Sequence, residues 1–576
     1  MTRATARLAA LVVLCCGACE KDPDDPQTWV DQLDDRSKMS EALARLEYMG
    51  DPRSVKPLGE AWRRSNKQSQ ILRTLIAVAG KTDAKTGKAA WGDAVPFLIE
   101  AVNAVWEGGS RRAVDDGVVA ASALGRSGDP AAVPVLLDAA QRQLPMRHEG
   151  NPARLAAIRA LGNFHDPKVI DVLTKILEAP TDKQLVQLNA AAALALAESG
   201  DQKALPALTR AMIFVPAIFP QVRTAITRVG KPAVRAMTAV YQERDAELAK
   251  LMKERGFDKK APGNMVYKGA TLLGDLRARE AVPMLLEGLK TEPRIAYYDE
   301  RSGAPGPTTH QGILGALRLI LDPATAGAVK AYWSNPKTDD GVRPLAIDVY
   351  GMLATDASAL AELLKYAKDE TQEPTIRQAA IVAYGRLART REQQKPIDDL
   401  KAGYEEKLRK AEAKKPEKDE EKAKVEDEKA IAAFYRDALA EAQARIGVAI
   451  ECKDDPGCYA KAVPVRDPKA AKPAQKPTDK QNADMVFRAE RALLELAKMG
   501  DRGRGTLDTL LQGVDSKERF VRQAILLALP RIAPLPCTKC ADRLNQVIED
   551  QSNETTLDFL TSETRIVYNY FLWAGK

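Results

Sequence analysis

Seven cysteines, three histidines and a large stock of carboxylates are the side chains of this 576-residue chain with chemistry to offer. Four of the cysteines stand in two close pairs. Cys452 and Cys458 flank CKDDPGC, where Asp-Asp-Pro-Gly makes a tight turn that brings them together. Cys537 and Cys540 form the CxxC of PCTKC. Three chemistries compete for them: two local disulfides, a four-cysteine zinc site, or a redox-active CxxC. Disulfides are the expectation, because an even count in an exported chain's oxidising compartment reads so; the second pair of a zinc site would be loosely spaced, and no βαβ pattern surrounds the CxxC. The histidines, His148, His165 and His310, are scattered. No phosphate-binding loop, GxSxG, HExxH or dinucleotide fingerprint occurs, and paired carboxylates are too common here to mark a site. No catalytic residue, cofactor or metal-ligand set is expected.

The elements that would have to position any site are many and small. The chain is far longer than one core requires. Aromatic residues make up only 5% and charged residues 29%, with Ala and Leu abundant, which favours numerous small helix–helix contacts. The net charge of +7 is dispersed among both signs, so no nucleic-acid partner is expected.

The N-terminus reads as an export signal: Arg3 and Arg7, an apolar run from Leu8 to Leu14, then small residues. The run is shorter than the ~20 residues needed to span a bilayer. Cys16-Gly17-Ala18-Cys19 resembles a bacterial lipobox, departing from it where Cys16 stands in place of the usual Leu. The resemblance implies cleavage before Cys19 and its acylation; an ordinary secretory signal is the competing reading. Glu20, in place of the Asp that resembles an inner-membrane retention signal, points to the outer membrane. A lipid-anchored protein of the bacterial cell envelope is thus expected, attached to the membrane through Cys19.

The dominant pattern is repetition. EALARLEYMGDPRSVKPL (41–58), VAASALGRSGDPAAVPVLL (119–137), LAAIRALGNFHDPKVIDVL (155–173), AAAALALAESGDQKALPAL (190–208) and ATLLGDLRAREAVPMLL (270–286) each join an Ala/Leu helix to a second amphipathic helix. Gly50, Gly128, Gly200 and Gly274 are expected to end the first helix in the left-handed conformation. Asp51, Asp129, Asp166 and Asp201 should cap the second, with Pro52, Pro130 and Pro167 at its first position. Arg154, Arg343, Arg377 and Arg522 are followed eight residues on by Gly162, Gly351, Gly385 and Pro530. These features resemble HEAT repeats, particularly the HEAT-like repeats of phycobilisome lyases. The resemblance implies an all-α superhelical solenoid of roughly ten helix pairs. It also implies that such arginines bond an acidic residue of a nearby turn, with Asp369 for Arg377 and Asp515 for Arg522. A related diiron family needs several His-Glu pairs, and only His148-Glu149 matches.

Two segments interrupt the array. Residues 401–430 hold 10 basic and 10 acidic residues, with Pro416 between two helical stretches, and read as a charged hairpin or spur. Residues 463–482 are rich in Pro and Lys and read as a short disordered linker. The expected organisation is a signal at 1–18, an acidic tether at 19–35, a solenoid at 36–397 and the spur at 398–450. A cysteine turn with linker follows at 451–483, then further repeats with an aromatic cap at 484–576, the cap carrying Tyr568, Tyr570, Phe571 and Trp573.

Solenoids bind partners along their concave face or loop edges. Three enlarged loops, 143–154, 213–223 and 291–312, should share one edge. The last carries Arg294, Tyr297, Tyr298 and Arg301, residue types that dominate interface hot spots. The expected function is a non-catalytic scaffold that binds a protein through this loop. The alternatives are a lyase-like or chaperone-like enzyme acting on a protein substrate, and a metal or redox module at the C-terminal cysteines.

Overall fold

The computed structural model describes residues 22–575, apart from 83–86, 109, 300–301, 415–418, 465–478, 517 and 552–558. Cys19, Arg301 and Pro416 lie outside the described residues, as does most of the expected linker. The described residues form helices joined by short turns, with three isolated β-bridges and no strand. No single helix among them is long and apolar enough to cross a membrane.

The chain divides into two compact units, residues 1–207 and 208–576. In the first, the leading helices of successive repeats stack side by side. They are α1 (Met39–Met49), α2 (Ser69–Ala79), α3 (Arg111–Ser127), α4 (Asn151–Leu161) and α5 (Val186–Ser199). The turns follow from their residues. Gly50, Gly128 and Gly200 take φ of 60°, 62° and 60°. Asp51, Asp129, Asp166 and Asp201 each accept the backbone N–H two residues on, at 2.8–2.9 Å.

In the second unit nine leading helices succeed one another: α6 (Phe219–Val229), α7 (Asn264–Asp275), α8 (Thr309–Ile320), α9 (Arg343–Leu353), α10 (Pro374–Leu387), α11 (Asp419–Cys452), α12 (Asp479–Met499), α13 (Arg519–Ile532) and α14 (Phe559–Trp573). Each packs on the next, and α14 packs on both α13 and α6. The superhelix of this unit therefore closes into a ring. Asn569 of α14 seals it by donating to the Thr224 carbonyl at 2.9 Å and to the Thr227 hydroxyl at 3.0 Å on α6. The aromatic C-terminus does cover the last repeat, but it also covers the first helix of the ring.

Several expectations need correction. Gly274 does not end its helix: α7 continues through Asp275, and Arg277 takes the left-handed conformation at φ 52°. Residues 213–223 are not a loop but a short turn leading into α6. The charged hairpin is not a free spur. Helix Arg391–Ala413 and α11 form one elongated repeat, and the C-terminal half of α11 is a ring helix. Its base is core: Tyr404 and Tyr435 are buried with ring centroids 5.1 Å apart, and the Arg377 guanidinium lies 4.1 Å from the Tyr435 ring centroid and bonds the Tyr404 hydroxyl. Asp369 instead holds Thr371 and Gln372, and Asp515 holds Arg543. Two further repeat arginines bond main-chain carbonyls. Arg154 donates to Ala140 at 3.0 Å and Arg343 to Trp333 at 2.7 Å, each the last residue of the preceding outer helix. A guanidinium there satisfies an orphan carbonyl at the negative end of the helix dipole.

The glycine eight residues on has a steric role. A Cβ on Gly162, Gly351 or Gly385 would come within 2.9 Å, 2.8 Å and 2.9 Å of the Cα of Ala195, Ala383 and Ala442 on the next helix. Gly351→Ala should therefore lower the melting temperature, because overpacking of ~1–3 kcal/mol outweighs the ~1 kcal/mol gain in helix propensity. Gly403→Ala, where nothing stands within 4 Å of the new Cβ, should raise it. Thermal melts of the two variants check both signs.

Candidate functional site

A cavity of about 790 Å³ lies within the second unit, and each of its nine leading helices contributes to the lining. This follows from the repeat: every leading helix turns one face to the cavity and the other to the outer layer. Most inward positions are small or apolar, so the charged ones stand out.

They are largely engaged with one another. Arg223 of α6 grips Asp275 of α7 through two bonds, at 2.7 Å and 2.6 Å. Burial works against the Arg223 charge, but the Asp275 carboxylate more than compensates, and its pKa is raised. Across the cavity wall Arg386 of α10 donates to Asp348 of α9 at 2.5 Å and to Glu490 of α12 at 2.5 Å and 3.0 Å. Arg445 of α11 donates to the other oxygen of Glu490 at 2.7 Å and 3.1 Å, its guanidinium 4.5 Å from the Phe487 ring centroid. Burial alone would raise the Glu490 pKa; the two guanidiniums overcome it and bring it to about 2. These pairs tie α6 to α7 and α9 through α12 into one wall. Groups so engaged are braces. Glu490, at about 2, lies far from the pKa near the working pH that a general acid or base needs.

The mouth differs. Phe520 lines the cavity yet is 65% exposed. Tyr267, also in the lining, meets Tyr297 edge-on at 6.2 Å. Tyr297 belongs to the 291–312 segment, which is a two-armed ladder: Ala296 N–H bonds Pro307, Gly306 N–H bonds Tyr297, and Asp299 N–H bonds Ala304. Tyr297 and Tyr298 are 43% and 45% exposed. Arg294 is held by Glu243 through two 3.0 Å bonds, so it anchors the ladder. The structure thus brings one of the sequence-derived tyrosines, Tyr297, against the cavity lining through Tyr267, and adds Phe520 as an exposed lining residue that the sequence did not single out.

The four C-terminal cysteines lie in two disulfides, Cys452–Cys458 and Cys537–Cys540. Their thiols are consumed, which removes the four-cysteine zinc arrangement. Among the described residues no three His, Cys, Asp or Glu side chains converge on a metal position.

The bracing residues carry no motif. Their one signal is a charge inside an apolar run, such as Asp348 in PLAIDVY or Glu490 in VFRAERALLEL. A depressed carboxylate stabilises the fold above its unfolded pKa of about 4.3, and that contribution fades as pH falls toward about 2. Glu490→Gln should therefore destabilise at pH 7 by roughly 2 kcal/mol, less than a fully buried pair because Glu490 keeps some solvent contact. The gap from the unaltered protein should narrow between pH 4.5 and about 2. Melting curves across that range test it, and equal stability at pH 7 would remove the bracing role.

Residues 146–213 match HEAT repeats, and residues 118–142 match the PBS lyase HEAT-like repeat. No curated protein matches the chain. Among solved structures, the Kap95p–RanGDP complex is 12% identical with a TM-score of 0.39, covering 92% of this chain and 70% of that one. Yeast importin-beta (Kap95p) is 12% identical with a TM-score of 0.37, covering 95% and 67%. The complex of CpcE and CpcF of phycocyanin lyase from Nostoc is 19% identical with a TM-score of 0.22, covering 48% and 90%. The chain is an all-α solenoid that carries HEAT repeats, including one of the PBS lyase HEAT-like type.

Proposed function

We propose that the chain is a non-catalytic scaffold that grips a protein partner at the bacterial cell envelope, tethered by lipid on Cys19. One observation carries the grip: exposed Tyr297 packs on Tyr267 of the cavity lining, and exposed Phe520 lines the same cavity, where Arg223, Arg386 and Arg445 are each engaged by a carboxylate. Aromatic side chains offered on a rigid frame supply contact area at small entropic cost. The engaged interior keeps its shape without the partner. The envelope reading is supported by the lipobox-like Cys16–Cys19 segment and by two disulfides, which belong to oxidising compartments.

In-cell crosslinking of the full chain should capture one dominant protein. Tyr297→Ala with Phe520→Ala should reduce capture at least tenfold and leave the melting temperature unchanged. Undiminished capture would move the grip elsewhere. A covalently attached small molecule in place of a protein would favour the lyase-like alternative. Cys19→Ala should release the protein from the membrane fraction; retention at high salt would overturn the anchor.

A further inference from the structure

A second cavity, of about 990 Å³, lies at the seam where the ring closes. Five arginines line it: Arg235 from the helix Lys231–Tyr241, Arg277 and Arg279 from the turn after α7, Arg504, and Arg531 near the end of α13. Among the described residues only Arg504 of the five forms an ion pair; of the others Arg235 and Arg279 are exposed, and Arg277 and Arg531 half-buried. Arg277 donates only to the Gly274 carbonyl, at 2.9 Å. Of the two carboxylates in the lining, Asp501 is taken by Arg504, and Glu280, exposed like Arg235 and Arg279, pairs with none of the arginines. Two donors here are buried without an acceptor, the Nε of Arg531 and the indole Nε1 of Trp573. Leu276, Pro530, Tyr570 and Trp573 add apolar surface to the lining.

The half-buried guanidiniums of Arg277 and Arg531, beside two buried donors without an acceptor, are better satisfied when something negative completes them. Around the central cavity Arg223, Arg386 and Arg445 each have a carboxylate, whereas Arg277, which lines both cavities, has none. Arg277 is moreover a non-glycine residue held in the left-handed region, a conformation that the surroundings must enforce. The indole and the proline and leucine side chains would shield the ligand's charge from water and strengthen its attraction.

We propose that the seam pocket is an oxyanion site, taking a carboxylate or phosphate with an apolar group beside it. The oxyanion lies against Arg277, Arg279 and Arg531, and the apolar group against Trp573. The same chemistry is found in a free organic anion and in an acidic, aromatic segment of a protein, and the size of the cavity admits either.

The test is calorimetric titration of the full chain with inorganic phosphate, 3-phenylpropionate and the acetylated peptide Asp-Phe-Asp. Saturable binding that weakens with ionic strength is expected, with phenylpropionate tighter than phosphate. Arg279→Gln with Arg531→Gln should weaken it at least tenfold, and Lys253→Ala, on a separate surface helix, should leave it intact. The unliganded double variant should melt no lower than the unaltered protein, since it loses like-charge repulsion. Should it fail to fold, Arg235→Gln alone should weaken binding at least threefold. Tighter binding of the peptide assigns the site to a protein segment, and tighter binding of phenylpropionate to a free anion. No binding at millimolar concentration, or binding unaltered by the arginine substitutions, overturns the proposal.

Discussion

Between consecutive leading helices, a glycine of one helix lies on the Cα of an alanine of the next. The contact recurs at Gly125 on Ala160 and Gly162 on Ala195 in the first unit, and at Gly274 on Ala316, Gly351 on Ala383 and Gly385 on Ala442 in the second. It brings two backbones closer than any side chain would allow, while the outer helices are spaced by Leu, Val and Trp. A layer that is narrow inside and wide outside must curve. In the second unit the curvature runs far enough for the ninth helix to meet the first. At the seam Gly230 makes room for a side chain instead, since a Cβ there would stand 2.7 Å from Cγ of Trp573.

Close backbones leave little room for side chains between leading helices, so long polar groups are directed to the ends or inward. The arginines show both solutions. Arg154 and Arg343, at helix starts, reach back to carbonyls of the preceding outer helix and link the two layers. Arg223, Arg386 and Arg445 project inward and join neighbouring helices through carboxylates. Arginine suits both tasks because its planar fork serves two acceptors at once and keeps its charge when buried. Where the carboxylate is missing, as at the seam, the same side chain becomes a binding group.

The 291–312 segment and the long hairpin show how an insertion is tamed. Each is tied to the ring at its base, by Arg294 on Glu243 in one case and by Arg377 between Tyr404 and Tyr435 in the other. The anchoring contacts are paid for in ordering entropy, yet they fix where exposed aromatics sit relative to the cavity.

Much of the fold was legible in the amino-acid sequence because its signals are local. An Asp-Pro pair caps a helix through atoms two residues apart, a left-handed glycine ends one, and an apolar stripe declares a helix within a dozen residues. The two cysteine pairs, three and six residues apart, are local in the same sense. Local signals also mislead, as at Gly274-Asp275, where the turn lies farther on and the aspartate holds Arg223 instead. What tertiary structure alone decided is which distant helices meet. Asn569 and Thr224 are 345 residues apart, and no pattern near either marks the other. Closure, the charge pairs of the wall and the arginine-rich seam all depend on curvature summed over nine repeats. Small errors in each repeat angle accumulate along the array, so the sequence specified the unit and only the assembled ring specified the sites.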